Sequence, residues 1–158
     1  MMRPHWLIPI LACLMVTACQ AEAPWVEVHG QRFTVEIADD DASRARGLMF
    51  RDHLPADHGM LFIWRQEAPR AFWMRNTRIP LDIIYLNRDF VVVDIAHNAR
   101  PCRTPPCPSY PSARPAQYVL EINGGLSAEL GLTIGDKLHV GGIPEPGNRQ
   151  PVTGNRNP

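Results

Sequence analysis

The chain has 158 residues, 45% hydrophobic and 20% charged, which is ordinary for a soluble globular protein. Its 16 basic residues are matched by 16 acidic ones, and this balance excludes an electrostatic case for nucleic-acid binding. Sixteen prolines, concentrated between 101 and 115 and in the tail, argue for long ordered loops rather than helices.

Arg3 precedes an apolar run, "WLIPILACLMVTA", from Trp6 to Ala18. A bilayer span needs about 20 apolar residues, so this run reads as the core of a signal peptide covering residues 1–18. The run closes on Val16-Thr17-Ala18-Cys19, which resembles the bacterial lipobox, with Cys19 as the acylated residue. A plain cleavage after Ala21-Glu22-Ala23 is the competing reading, and Pro24 in the next position makes it a poor substrate. Buried acyl chains contribute roughly 0.8 kcal/mol per methylene, so a lipidated Cys19 would hold the chain stably, with residues 19–24 as a tether. Gln20 resembles the sorting pattern for the outer membrane, so the expected location is its periplasmic face, reached through the lipid anchor alone. Export leaves Cys102 and Cys107 in an oxidising compartment, where a local disulfide is the simplest outcome. A zinc site would need a second ligand pair, and Pro105-Pro106 blocks the helix that a redox pair requires.

Residues 25–142 form the expected domain. "WVEVH" (25–29) and "RFTVEIA" (32–38) flank Gly30-Gln31, and Phe33, Val35 and Ile37 alternate with polar residues as in a half-buried hairpin. Asp39 to Asp41 can cap a short helix over Ala42–Phe50, which Gly47 weakens. "GMLFIW" (59–64) and "RAFWM" (70–74) read as strands, and 82–96 as a hairpin turning at Asn87-Arg88-Asp89. A proline-rich loop fills 97–116, followed by a strand at 118–122, a helical turn around Ser127–Leu130 and a last strand at 137–140. Residues 143–158 are read as a disordered tail. Strands joined by hairpins and short loops predict a mainly β fold: one compact, antiparallel sandwich or barrel-like domain with two short helices.

Four blocks occur in order: "RGLMFR" (46–51), "GMLFIW" (59–64), "FWMRNTRIPLDIIYL" (72–86) and "YVLEINGG…AELGLTIGDKL" (118–138). Together they resemble the bacterial and archaeal family known as domain of unknown function 192, over residues 25 to 141. The resemblance implies a compact, mostly β domain that is often exported, and it implies no activity. Arg75 stands where many members of that family have lysine, which keeps the charge and changes its geometry.

The densest junction of apolar and polar residues is "FWMRNTRIPLD" (72–82). Trp73 can supply a flat wall, Asn76 and Thr77 short polar groups, and Asp82 a carboxylate, with Arg46 and Arg51 bringing guanidinium groups from the first helix region. Such a set suits a small polar ligand or an envelope protein partner. The bland alternative is a turn at Asn76-Thr77 with Asp82 capping backbone amides. Two other functions compete with simple binding. One is an enzyme acting on an envelope glycan or small metabolite, with Asp82 as acid or base. The other is Cu(I) binding through Met49, Met60 and Met74, against which stands their place in apolar runs that fill a core. No hydrolase, zinc-protease or phosphate-loop motif is present, so no catalytic residue, resident metal or cofactor is assigned.

Overall fold

Nine strands and two short helices make up residues 22–145, the part of the chain that the computed structural model describes. β1 (Trp25–Val28) and β2 (Gln31–Ala38) form the expected hairpin. His29 and Gly30 both take positive φ, 49° and 80°, the backbone that matches a two-residue turn to the strands' twist. α1 (Asp41–Arg46) opens on a capping box: Asp40 accepts from the Ser43 amide at 2.7 Å, and Ser43 Oγ accepts from the Asp40 amide. The predicted helix ran on to Phe50. It stops at Arg46 because Gly47 adopts φ 47° and ψ −139°, which carries the chain out of the helix.

β3 (His58–Ala68) then pairs with β2 in parallel, at Thr34↔His58 through Ala38↔Phe62. A parallel pair needs a long crossover, and α1 with the loop to residue 57 supplies it. β4 (Ala71–Trp73), β5 (Leu81–Leu86), β6 (Val92–Ala99), β7 (Ser109–Pro111), β8 (Ala116–Asn123), α2 (Leu126–Glu129) and β9 (His139–Gly141) complete the order. Seven strands form one sheet in the order β6-β5-β8-β3-β2-β1-β9, and β4 pairs with β7 in a separate ribbon. The mainly β class with two short helices is as expected, but the sheet is open and mixed, not closed into a barrel. The short helix was expected; hairpin reasoning missed the parallel step because nothing local in the loop between α1 and β3 signals where the chain rejoins the sheet.

The sheet is buried on both faces, which explains why β5 is apolar at nearly every position and inaccessible at all six. On one face Val26, Phe33, Val35, Leu61, Ile63, Ile84, Leu120 and Ile122 pack with Leu132 and Leu138. On the other, Met60, Phe62, Leu81, Ile83, Tyr85 and Val119 pack under Leu48, Leu54 and Met74. The crossover and the β4–β7 ribbon cover this second face. Phe72 of β4 meets the rings of Phe62, Trp64 and Tyr85 edge-on, and the Tyr85 hydroxyl donates to the Tyr110 carbonyl at 2.5 Å. The Cys102–Cys107 disulfide is present, with Cα atoms 5.6 Å apart, and the Cys102 amide ties its loop to the Met74 carbonyl. The expected signal peptide, the acylated Cys19 and residues 146–158 of the tail lie outside the described residues.

Candidate functional site

Strand alternation decides which carboxylate faces what. In β8, Leu120 and Ile122 point into the first core, so Glu121 must point to the second face. Its register partners there are Met60 on β3 and Ile83 on β5. Glu121 is therefore a lone carboxyl set laterally between two apolar side chains, with 4% of its surface accessible. Above it the crossover leaves a cleft of about 320 Å³, at the small end of ligand sites. Phe62, Trp64, Phe72 and Trp73 supply its aromatic walls, Thr77 and Glu121 its buried polar groups, and Asp41, Arg44 and Arg46 its charged rim.

Gly47 is the roof that makes this space possible. A Cβ there would lie 3.3 Å from Phe62 Cζ and 3.9 Å from Glu121 Oε2, at a φ that favours glycine. Gly47→Ala is therefore expected to lower stability by roughly 1–3 kcal/mol, the range for strained backbone, and to narrow the cleft over the carboxyl. Chemical denaturation reads the first effect, and an unchanged midpoint would refute this role for Gly47.

Among the described residues, neither the Glu121 carboxyl nor the Thr77 hydroxyl has a hydrogen-bond partner, although both residues are buried. Burial alone pushes the Glu121 carboxyl from its ordinary 4.5 up to about 8, so it is predominantly neutral at pH 7. Burial, with the Asp94 and Glu121 charges, likewise raises the Tyr85 phenol and keeps it a donor. The walls are not equivalent. Arg70 lies 4.3 Å from the centroid of Trp64 and Arg44 5.5 Å from it, so that ring is already stacked with guanidinium. Arg44 is further held by the Ile63 carbonyl at 2.9 Å and by Asp41. Trp73, 54% exposed, keeps a face open, with Arg75 5.8 Å from its centroid. Arg46 makes no ion pair among the described residues.

Of the six residues proposed from sequence, three converge on the cleft: Arg46, Trp73 and Thr77. Asn76, at φ 59°, instead borders an adjoining, more open depression of about 450 Å³ with Phe50, Asp52, Arg78 and Arg103, and Thr77 lies on the wall between the two. Arg51 points away into a bidentate pair with Glu36, whose carboxyl this hydrogen bond holds below its ordinary range. Asp82 is the clear correction. Completely buried, it accepts from the Asn98 amide at 2.6 Å, Gly125 at 3.0 Å and Ser127 at 2.7 Å, and it fastens α2 to β6. Met60 and Met74 are core side chains, and Met49 is partly buried with its sulfur beside Asn76 Nδ2, so their surroundings give no support to the copper reading. Sequence reasoning missed Glu121 itself. Its signal was one acidic residue inside the otherwise apolar "YVLEI", a costly choice for a strand buried on both faces.

An open seven-stranded mixed sheet, roofed on one face by a helix-and-loop crossover over a buried carboxyl, defines the class of protein. The chain belongs to the domain of unknown function 192 family, whose model, described as "Uncharacterized ACR", matches residues 25–140. It is 33% identical over 109 residues to a UPF0127 protein of Pyrococcus abyssi, covering 66% of this chain and 83% of that one. Two crystal structures are similar to it. One is a protein of unknown function from Novosphingobium aromaticivorans, 44% identical with a TM-score of 0.67, covering 73% of this chain and 82% of that one. The other, from Sinorhizobium meliloti and described as a candidate transcription regulator, is 35% identical with a TM-score of 0.68, covering 77% and 96%. The family's biochemical function is uncharacterised.

Proposed function

We propose that this chain is an exported, lipid-anchored envelope protein whose domain holds a small polar ligand in the Glu121 cleft. One observation carries the reading: a buried carboxyl, without a protein partner among the described residues, lies at the floor of an aromatic-walled opening. Its oxygens open onto the cleft; once a ligand closes over them, the group costs about 1–3 kcal/mol if nothing pairs with it, and a ligand that donates and accepts hydrogen bonds avoids that cost. Catalysis through Asp82 has no support in its placement, because three backbone amides occupy its oxygens. The regulator description of the Sinorhizobium protein is not carried over, since balanced charge offers no footprint for nucleic acid.

The test is a thermal-shift screen of small polar compounds on the full chain and on Glu121→Leu. A true ligand at 100 times its Kd adds about 2.7 kcal/mol to the wild type and nothing to the variant. Stabilisation that is equal in both proteins, or absent throughout, overturns the reading. Anchoring is tested separately: Cys19→Ala is expected to move the protein from the membrane to the soluble fraction, and unchanged fractionation refutes acylation.

A further inference from the structure

The cleft's charges and hydrogen-bonding groups narrow the ligand further, an argument that rests on the binding role just proposed. A cationic ligand fits poorly. Arg44 and Arg46 stand at the rim, Arg70 and Arg44 flank the Trp64 ring, and Asp41 is already paired with Arg44. A wholly apolar ligand fits no better, because it would leave the Glu121 carboxyl and the Thr77 hydroxyl unpaired in a closed site. Each of those two groups can both donate and accept, the carboxyl when it is neutral, and a hydroxyl is their natural complement. The exposed Trp73 offers a flat face for a ring, and Arg46 is a guanidinium without an ion-pair partner among the described residues. A guanidinium recognises a carboxylate or phosphate by two parallel hydrogen bonds.

We infer that the cleft takes a sugar ring bearing an acidic substituent, its hydroxyls on Glu121 and Thr77, its face on Trp73 and its acid group on Arg46. Glu121 serves here as a hydrogen-bond donor, so the proton it carries is part of the recognition. No bond is made or broken.

The experiment is a calorimetric titration of the full chain in detergent with D-glucuronate, D-glucose and choline as probes. Glucuronate is expected to bind at least about tenfold more tightly than glucose, the advantage of one charge-assisted bidentate contact. Arg46→Ala removes that difference, and choline does not bind. Glu121→Gln, which keeps a donor and an acceptor, retains glucuronate affinity within about threefold, whereas Glu121→Leu abolishes it. Above pH 8, where Glu121 ionises, wild-type affinity falls about tenfold per pH unit, and the glutamine variant stays flat. Choline binding that is lost in Glu121→Gln would make the cleft a cation site, overturning the sugar assignment and leaving the binding role intact. Failure of both sugars to bind overturns the assignment alone, because the compound screen decides the wider reading. Glucuronate binding that is indifferent to Glu121→Leu and Arg46→Ala overturns the assignment by placing the sugar elsewhere.

Discussion

Between about pH 5 and pH 8 the wild-type protein is expected to lose on the order of 3 kcal/mol of stability that Glu121→Gln does not lose. The sign follows from proton counting. The unfolded chain releases the Glu121 proton near 4.5, whereas the folded chain holds it to about 8, so in this window the native state binds more protons. Stability from that proton is complete below pH 4.5 and drains away as pH rises through the folded value. Carboxyls with lowered values, such as Glu36 beneath Arg51 and Asp57 beside His58, act in the opposite sense and have ionised before the window opens. Urea denaturation of both proteins across this range isolates the difference. A constant gap between them would mean that the folded protein does not hold the proton. At pH 7, Glu121→Leu is expected to be more stable than wild type, since it removes a buried polar group from an apolar layer that already surrounds it.

Asp82→Ala is expected to be the most damaging single change in the domain, at about 3–5 kcal/mol. Three backbone amides, from Asn98, Gly125 and Ser127, would lose their acceptor inside the protein at once. The loss would be felt where α2 begins, because Gly125 is its N-cap and contributes no side-chain hydrogen bond of its own. Ser127 Oγ also contacts His97 Nδ1 at 2.8 Å, so loosening α2 would disturb β6 as well. Circular dichroism melts of Asp82→Ala and Asp82→Asn separate the causes, with asparagine keeping one acceptor and a smaller loss. A neutral effect of Asp82→Ala would show that the amides find other partners.

These two carboxylates explain how far the sequence could be read. Alternation in β2, the apolar blocks of β3 and β5, the hairpin at Asn87–Asp89 and the Cys102–Cys107 pair are local features, and each was legible. The parallel β2–β3 pairing was not, because it depends on where an eleven-residue loop after α1 returns the chain. The same loop decides the site. It lays Gly47 over β8, some seventy residues further along the chain, so that Arg46 and Glu121 share a cleft no local pattern could join. Trp73 and Thr77, singled out in the sequence, line the cleft because they sit in the dense block beside it. Asp82 and Glu121 are both strand carboxylates in apolar runs, and only tertiary contacts separate them: one has three amides, the other faces the cleft.

The most direct measurement is a carbon-13 NMR titration of the Glu121 side-chain carboxyl in the full chain, assigned by its disappearance in Glu121→Gln. We expect a midpoint near 8 in the free protein, as a buried and unpartnered carboxyl requires. A midpoint near the ordinary 4.5 would mean that water or a protein donor already stabilises the charged form, and it would contradict a carboxyl held neutral for a ligand.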